Sequence, residues 1–438
     1  MMTTCCGIID ISMTYGKKNN KYLYRCLTQI YNEQSKYILI PYTYKFNFDK
    51  SNTLLYILHD NENVIHTIGP INILENTYEY YIYYYGQHMS LKKISSLDKN
   101  IVDFISDKYN LEYRSGHIFT IDDKSTTDFD DAISITDNMV SIYISNVPII
   151  LDYLNLWNII DKRVSTIYLP TFKKNLLPKC IENLCSLTKG LYKICLVLDI
   201  YINGETKFNI CKIKVARNYT YDSDKLINHK DYKNLDKYFK FKNPHELVEE
   251  TMIKFNNEAS NINNEASNNI IKFIYKPHTV YRPNTYIDFI EIYNKCKYSP
   301  YTLYNCGYIH ITSPIRRLVD IINMTVFNYN ILGHNDKYIE FNNKWTQLEN
   351  IKLINDNTIK IKKLQRKCLL LQLFKDNKND IFEGYVFNKI NDRYDVYIPS
   401  LKIFYHIYQE KNLSENIKYN FKLYMLDDKI NKIILTLI

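Results

Sequence analysis

Between residues 22 and 90, apolar and aromatic residues fall in short runs broken by turn residues. The runs are Tyr37-Ile-Leu-Ile-Pro, Thr53-Leu-Leu-Tyr-Ile-Leu-His, Asn63-Val-Ile-His-Thr-Ile-Gly and Glu79-Tyr-Tyr-Ile-Tyr-Tyr-Tyr. This spacing predicts strands and a small barrel over residues 1–90. A charged, helical connector is expected over 91–112. From 113 strands and helices mix into an α/β body that reaches about 375. There Ile354, Ile359, Ile361, Leu364, Cys368 and Leu371 recur at roughly helical spacing and predict a long closing helix. Short strands return at Ile381-Phe-Glu-Gly-Tyr-Val-Phe, Arg393-Tyr-Asp-Val-Tyr-Ile-Pro and Ile433-Ile-Leu-Thr-Leu-Ile, predicting a second small barrel over 380–438. The fold class expected is α+β multidomain, an α/β body flanked by two OB-sized barrels.

One repeat interrupts this pattern: Asn256-Asn-Glu-Ala-Ser-Asn recurs as Asn263-Asn-Glu-Ala-Ser-Asn. A shift of seven residues is close to two helical turns, so a helix absorbs it without turning its apolar face to water. That helix is expected to start with Asn243 as N-cap, Pro244 at the first position and Glu246 at the third.

Composition narrows the class. The chain has 438 residues, 46% hydrophobic and 24% charged, with 10 glycines and 11 prolines. This excludes collagen-like, disulfide-scaffold and wholly disordered chains. No window approaches a membrane span, and Met1 to Met13 carries no basic stretch before an apolar one. A cytoplasmic location, no membrane and no secretory signal are therefore expected. Ten cysteines show no C-x-x-C pair, so reduced thiols are expected and a structural zinc site is not. The net charge of +9 favours a polyanionic partner. The 42 tyrosines and 19 phenylalanines supply stacking faces beside lysines, although a coding sequence drifted to high A/T content explains most of the tyrosine.

Candidate chemistry sits in two motifs. Between Ile121 and Ala132 the chain reads I-D-D-K-S-T-T-D-F-D-D-A, crowding Asp122, Asp128, Asp130 and Asp131 into one loop. Like charges this close repel unless a cation lies among them, and Mg²⁺ or Mn²⁺ suits carboxylate oxygens. The glycine and final glutamate of a calcium loop are absent, and a solvated acidic turn is the plain alternative. Apolar residues on both sides predict a strand entering and a strand leaving. The second motif, Tyr308-Ile-His-Ile-Thr-Ser-Pro-Ile-Arg-Arg-Leu-Val-Asp, predicts a helix capped by Ser313 with Pro314 at its first position. Arg316 and Arg317 would then occupy a first turn, where the helix dipole disfavours cations unless an anion joins them. Pairing of Arg316 with Asp320 is the simpler explanation. Acidic loop and basic turn together describe phosphodiester chemistry.

In this order, D-x5-D-x-D-D-A and Y-x-H-x-T-S-P-I-R-R-x-x-D resemble the signatures of the ribonuclease II family. Between them fall Arg163 with Ser165-Thr-Ile-Tyr-Leu-Pro, Leu177-Pro, Leu184-Cys-Ser-Leu, Tyr219-Thr-Tyr-Asp, Leu247-Val-Glu-Glu-Thr-Met and Lys297-Tyr-Ser. The resemblance is good from Tyr113 to Asn330 and weak over the flanks. It implies a ribonuclease II catalytic domain at 113–375 between OB-like RNA-binding barrels, and a Mg²⁺-dependent 3′→5′ exoribonuclease acting on single-stranded RNA. It further implies that Asp122, Asp128 and Asp131 hold metal, that Asp130 is the most activity-critical carboxylate, and that Arg316 steadies the scissile phosphate. Tyr168, Tyr221 and Glu249, with Ser313 and Arg317 of the basic motif, complete the set expected to touch RNA. A monomer is expected, with or without an RNA-decay partner. A catalytically silent RNA-binding relative is the alternative.

The chain departs from the family at four points. Asn146 stands where relatives have aspartate, and Met324 where they have histidine. The interval from Tyr221 to Glu249 is short, and there is room for about one N-terminal barrel where most relatives carry two.

Overall fold

The computed structural model describes residues 4–43, 53–92, 94, 97–98, 100–262, 270–277, 299–376, 380–401, 403–409, 412–415, 417–427 and 432–438. They form two compact units, one of Met1–Met89, Ile167–Lys173 and Ile359–Ile438, the other of Ser90–Thr166 and Lys174–Thr358.

In the first unit, strands Lys17–Lys18, Lys21–Gln29, Cys5–Asp10, Leu54–His59 and Val64–Pro70 lie side by side, and Lys36–Tyr42 also pairs with Lys21–Gln29. Thr67 Oγ1 donates to Tyr42 Oη at 3.3 Å, linking two strands from opposite ends of this sheet, so the sheet curls on itself. The tyrosine run expected as a fourth strand is instead the helix Leu74–Tyr84. Tertiary packing overrides aromatic strand propensity here. Tyr80 and Tyr84, one helical turn apart, stack at 6.5 Å, and Tyr80 also stacks on Tyr56 of the sheet at 4.2 Å. Its hydroxyl donates to Gln29 Oε1 at 2.8 Å, so this tyrosine serves the core.

The C-terminal sheet of the same unit is antiparallel, in the order Ile403–Tyr408, Arg393–Ile398, Ile381–Ile390, Lys418–Asp427, Lys432–Leu437. Tyr405 Oη donates to the Ile433 carbonyl at 3.0 Å, joining its first and last strands. The strands Ile403–Tyr408 and Lys418–Asp427 went unread in the sequence. The predicted closing helix is present and longer, Leu348–Asp376. Lys367 of this helix stands 4.3 Å over the Tyr81 ring, and Lys360 and Lys363 stand 5.5 Å over Tyr31.

The second unit is built on a mixed seven-stranded sheet. Its order is Arg217–Thr220, Phe119–Asp122, Asp131–Ile135, Met139–Ser145, Tyr192–Tyr201, Thr206–Lys214, Glu112–Arg114. The first pair and the last pair are parallel; the neighbours between them are antiparallel. Alternation divides the side chains between two faces. Phe119, Ile121 and Ile133 pack with Leu235 and Leu247, whereas Ile118 and Ala132 pack with Val197 and Ile213. The helix Leu318–Leu332 is apolar nearly all round and is buried from Leu318 to Asn328, as expected of a core helix.

Asn243 Oδ1 accepts from Glu246 N at 3.0 Å, the cap anticipated for that helix, and Glu246 Oε2 accepts at 2.6 Å from Lys242 N, the amide one residue before the N-cap. The helix runs from Pro244 to Ser260 and takes in the first copy of the repeat from Asn256 to Ser260; the second copy lies outside the described residues. Lys297-Tyr298 also lies outside them. The described cysteines are all free. Among the described residues no helix is long and apolar enough to cross a membrane.

Candidate active site

The acidic loop joins two neighbouring strands, as expected. Asp122 ends Phe119–Asp122 and Asp131 opens Asp131–Ile135. A short segment after the helix Lys179–Cys185 holds the loop in shape: Phe129 N donates to Ser186 Oγ at 3.0 Å, Ser186 Oγ to the Thr127 carbonyl at 3.3 Å, and Leu187 N to the Phe129 carbonyl at 2.9 Å. Ser145 N donates to the Asp130 carbonyl at 2.9 Å. Backbone groups of the loop thus find partners, and its carboxylates are aimed rather than loose.

Asp130 is 4% exposed. Its Oδ1 accepts from Ile315 N at 2.8 Å and its Oδ2 from Arg316 Nε at 3.2 Å, which brings the two motifs together. Burial pushes its pKa up to about 7, against the opposing pull of Arg316 and of the Ile315 amide. Asp122 is raised to about 6, by burial first and then by Asp128, with the Thr120 hydrogen bond and Arg316 opposing. Asp131 is raised well above the usual carboxylate range by burial and by its neighbours Asp122 and Asp130. Asp128 is half-buried in the loop, and its charge contributes to the rise at Asp122 and Asp130. Asp122, Asp130 and Asp131 thus resist ionising in their own surroundings, and Arg316 offsets only part of that.

Such a donor set fits a hard divalent cation. All four are carboxylates, hard oxygen donors, brought together by one loop between two neighbouring strands. An ion held by one or two carboxylates with water and substrate oxygens completing its shell matches the habit of magnesium.

The basic motif differs from its expected form. The helix starts at Leu318, not at Pro314, and Arg317 is its N-cap residue, with extended backbone at φ −141°, ψ 121°. The local Ser-Pro signal is overruled by pairing with a distant segment. Thr166 N donates to the Arg316 carbonyl at 3.0 Å, Leu318 N donates to the Val164 carbonyl at 2.9 Å, and Ser165 bridges Arg317. Arg316 and Arg317 therefore precede the first turn and diverge. Arg316 is 49% exposed, on Asp130, with Nη2 donating to Ser313 Oγ at 3.1 Å. Arg317 forks onto the fully buried Asp320 at 2.6 and 2.8 Å. Asp320 pairs with Arg317 rather than Arg316, and its Oδ1 also accepts from Ser313 N at 2.7 Å. Ser313, expected to cap the helix and touch RNA, is 5% exposed and links both arginine pairs.

Of the remaining residues expected to touch RNA, Tyr221 lies beside the acidic loop. Its N donates to the Asp122 carbonyl at 3.3 Å, and burial followed by Asp122 and Asp131 raises its hydroxyl to about 12. Its ring stacks on His245 at 3.6 Å, a partner the sequence reading missed, although His245 sits directly after the capping Asn243-Pro244 pair. Glu249 is exposed on the helix Pro244–Ser260. Tyr168 belongs to the first unit, 41% exposed on the short strand Ile167–Tyr168. Asn146 caps the helix Val147–Tyr153 through Ile149 N and exchanges two amide hydrogen bonds with Asn328, at 2.8 and 2.9 Å. With no exposure at all, it is a structural joint, and Met324 is likewise fully buried.

Comparison with known proteins finds likeness over part of the chain in sequence and over nearly all of it in fold. Residues 111–237 match the model of the RNB domain. Ribonuclease R of Mycoplasmopsis pulmonis is 35% identical over 101 residues, which cover 21% of this chain and only 14% of that protein's length. In fold, the chain is similar to Mycoplasma genitalium RNase R in complex with ribose-methylated single-stranded RNA, with a TM-score of 0.69 at 14% identity, over 99% of this chain and 89% of that one. It is also similar to yeast Ssd1, a pseudonuclease, with a TM-score of 0.61 at 11% identity, over 99% of this chain and 67% of that one. Residues 111–237 therefore match an RNB domain, and the acidic motif lies within that stretch, while the arginine motif lies beyond it.

Proposed function

We propose that this chain is a Mg²⁺-dependent exoribonuclease that hydrolyses single-stranded RNA from the 3′ end and releases nucleoside 5′-monophosphates. The observation that carries the reading is the Asp130 carboxylate, buried and shared between Ile315 N and Arg316 Nε beside three further aspartates. Asp122, Asp128, Asp130 and Asp131 would hold Mg²⁺, or Mn²⁺ in its place, which when bound supplies an acidified water near neutral pH and positive charge against the leaving 3′ oxygen. Asp130, raised to about 7, ionises in full only as positive charge gathers around it. Arg316 neutralises charge building on the scissile phosphate, and Ser313 Oγ fixes the direction of its fork. Tyr221 and Glu249 meet the 3′ nucleotide, Tyr168 stacks on terminal bases, and Arg317 acts as a positioning residue through Asp320.

A catalytically silent, RNA-binding relative is the second reading, favoured by the fold shared with yeast Ssd1, a pseudonuclease. Retention of all four aspartates and Arg316 speaks against it. Labelled single-stranded RNA and DNA of equal sequence, incubated with and without Mg²⁺, decide the matter. A ladder from RNA alone with Mg²⁺ supports the exoribonuclease; binding without products supports the silent relative; equal cleavage of DNA overturns the choice of RNA.

A further inference from the structure

Beyond the acidic loop, the second unit holds a cavity of about 550 Å³ lined by His117, Arg217, Asn218, Tyr219, Thr220, Ser223, Lys225 and His229. No carboxylate is among these lining residues. Arg217 and Lys225 are exposed and make no ion pair among the described residues. The imidazoles of His117 and His229 stack at 3.8 Å. Beside them, Asp231 Oδ2 lies 2.7 Å from His117 Nδ1, and Asp231 N donates to His229 Nδ1 at 3.2 Å.

His117, His229 and Asp231 are close enough together to suggest a metal ion. The hydrogen bonds argue otherwise. With Nδ1 of His229 accepting from an amide, the ring proton sits on Nε2, which is then a donor and not a ligand. His117 gives Nδ1–H to the carboxylate and meets the Tyr219 hydroxyl through Nε2 at 3.2 Å, so its lone pair is also engaged. The 2.7 Å contact between His117 and Asp231 is shorter than the separation of about 3.4 Å between two ligands of one tetrahedral zinc. Two stacked rings direct their lone pairs side by side, and Arg217 and Lys225 would repel a further cation.

The same features recruit an anion. Arg217, Lys225, His229 and Ser223, all able to donate to an anion, line a space of the size that small ligands occupy. We infer that this cavity binds a phosphate group, free or carried by a mononucleotide. The inference does not depend on the nuclease reading, because none of its residues belongs to the acidic loop.

Calorimetric titration of the full chain with inorganic phosphate, adenosine 5′-monophosphate, adenosine and Zn²⁺, the first three in chelator, tests it. Phosphate and the nucleotide bind while adenosine does not, and the relative strength of the first two tells which source the site prefers. The double variant Arg217→Gln, Lys225→Gln weakens that binding by about 10- to 100-fold. Arg217→Lys with Lys225→Arg keeps it, and the Gln pair cleaves single-stranded RNA in Mg²⁺ at the parent's rate, which separates this cavity from the acidic loop. Adenosine binding as tightly as its monophosphate, phosphate binding indifferent to the Gln pair, or loss of RNA cleavage in the Gln pair overturns the inference. So does Zn²⁺ binding that His117→Ala abolishes in a protein that takes no phosphate.

Discussion

Asp130 and Arg316, 186 positions apart in the chain, meet through a 3.2 Å hydrogen bond, and the neighbouring amide of Ile315 holds the other carboxylate oxygen. The acidic loop and the arginine motif are thereby one object. Asp130→Asn keeps the shape of the side chain and removes its charge. RNA cleavage in Mg²⁺ should fall by about 10³-fold or more, on the scale of losing a preorganised electrostatic group, while RNA affinity stays equal or rises. Single-turnover cleavage and filter binding measure the two, and a variant as active as the parent would remove Asp130 from the chemistry.

The two arginines should separate cleanly. Arg316 is half-exposed, so Arg316→Ala is expected to slow cleavage with little change in melting temperature. Arg317 covers a carboxylate with no exposure of its own, so Arg317→Ala leaves Asp320 buried with one amide donor and destabilises the fold by about 3 kcal/mol. Thermal melts of both variants beside the parent test this. Equal melting losses would mean that the two side chains share one role.

The carboxylates predict an unusual dependence on pH. In the folded state Asp122 is raised to about 6 and Asp130 to about 7, so between the ordinary carboxylate value and those values the folded chain binds more protons than the unfolded one. Stability from these groups is complete at acid pH and is lost as pH rises through that window. Mg²⁺ binds the ionised form, so the melting temperature it adds should grow over the same range. Melts in chelator and in Mg²⁺ at about pH 5 and about pH 8 read this directly. An increment equal at both would place the cation elsewhere.

Much of this was legible in the sequence because it is local. Ile118-Phe-Thr-Ile and Ala132-Ile-Ser-Ile frame the acidic loop with strand-forming residues, and strands stand there. Asn243, Pro244 and Glu246 cap their helix in the way their spacing announces. What was hidden depends on partners distant in sequence. The start of the helix at Leu318 is set by Val164 and Thr166, about 150 residues earlier, and Ser-Pro alone cannot announce them. Ser186, which shapes the acidic loop, lies 57 residues beyond Phe129. The run Glu79 to Tyr85 carries both strand-forming aromatics and a helical i, i+4 repeat, and the Tyr56 surface decided between them. His117 meets Asp231 across 114 positions, beyond any spacing rule for metal or anion sites.

The two tyrosines expected to touch RNA allow a last separation. Tyr221 is half-buried and stacked on His245 at 3.6 Å, whereas Tyr168 is 41% exposed. Tyr221→Ala removes a packed ring and should lower both the melting temperature and cleavage, and Tyr221→Phe should restore the melt. Tyr168→Ala removes an exposed face and should leave the melt within about 0.5 kcal/mol of the parent. Its effect should lie in the product: losing a stacking platform worth about 1–3 kcal/mol per base loosens the grip on short RNA, so digestion stops at longer fragments. Gel resolution of limit products from the parent and Tyr168→Ala tests this. Identical fragment lengths would show that the ring does not hold the RNA tail, and the aromatic clamp would have to be sought elsewhere in the chain.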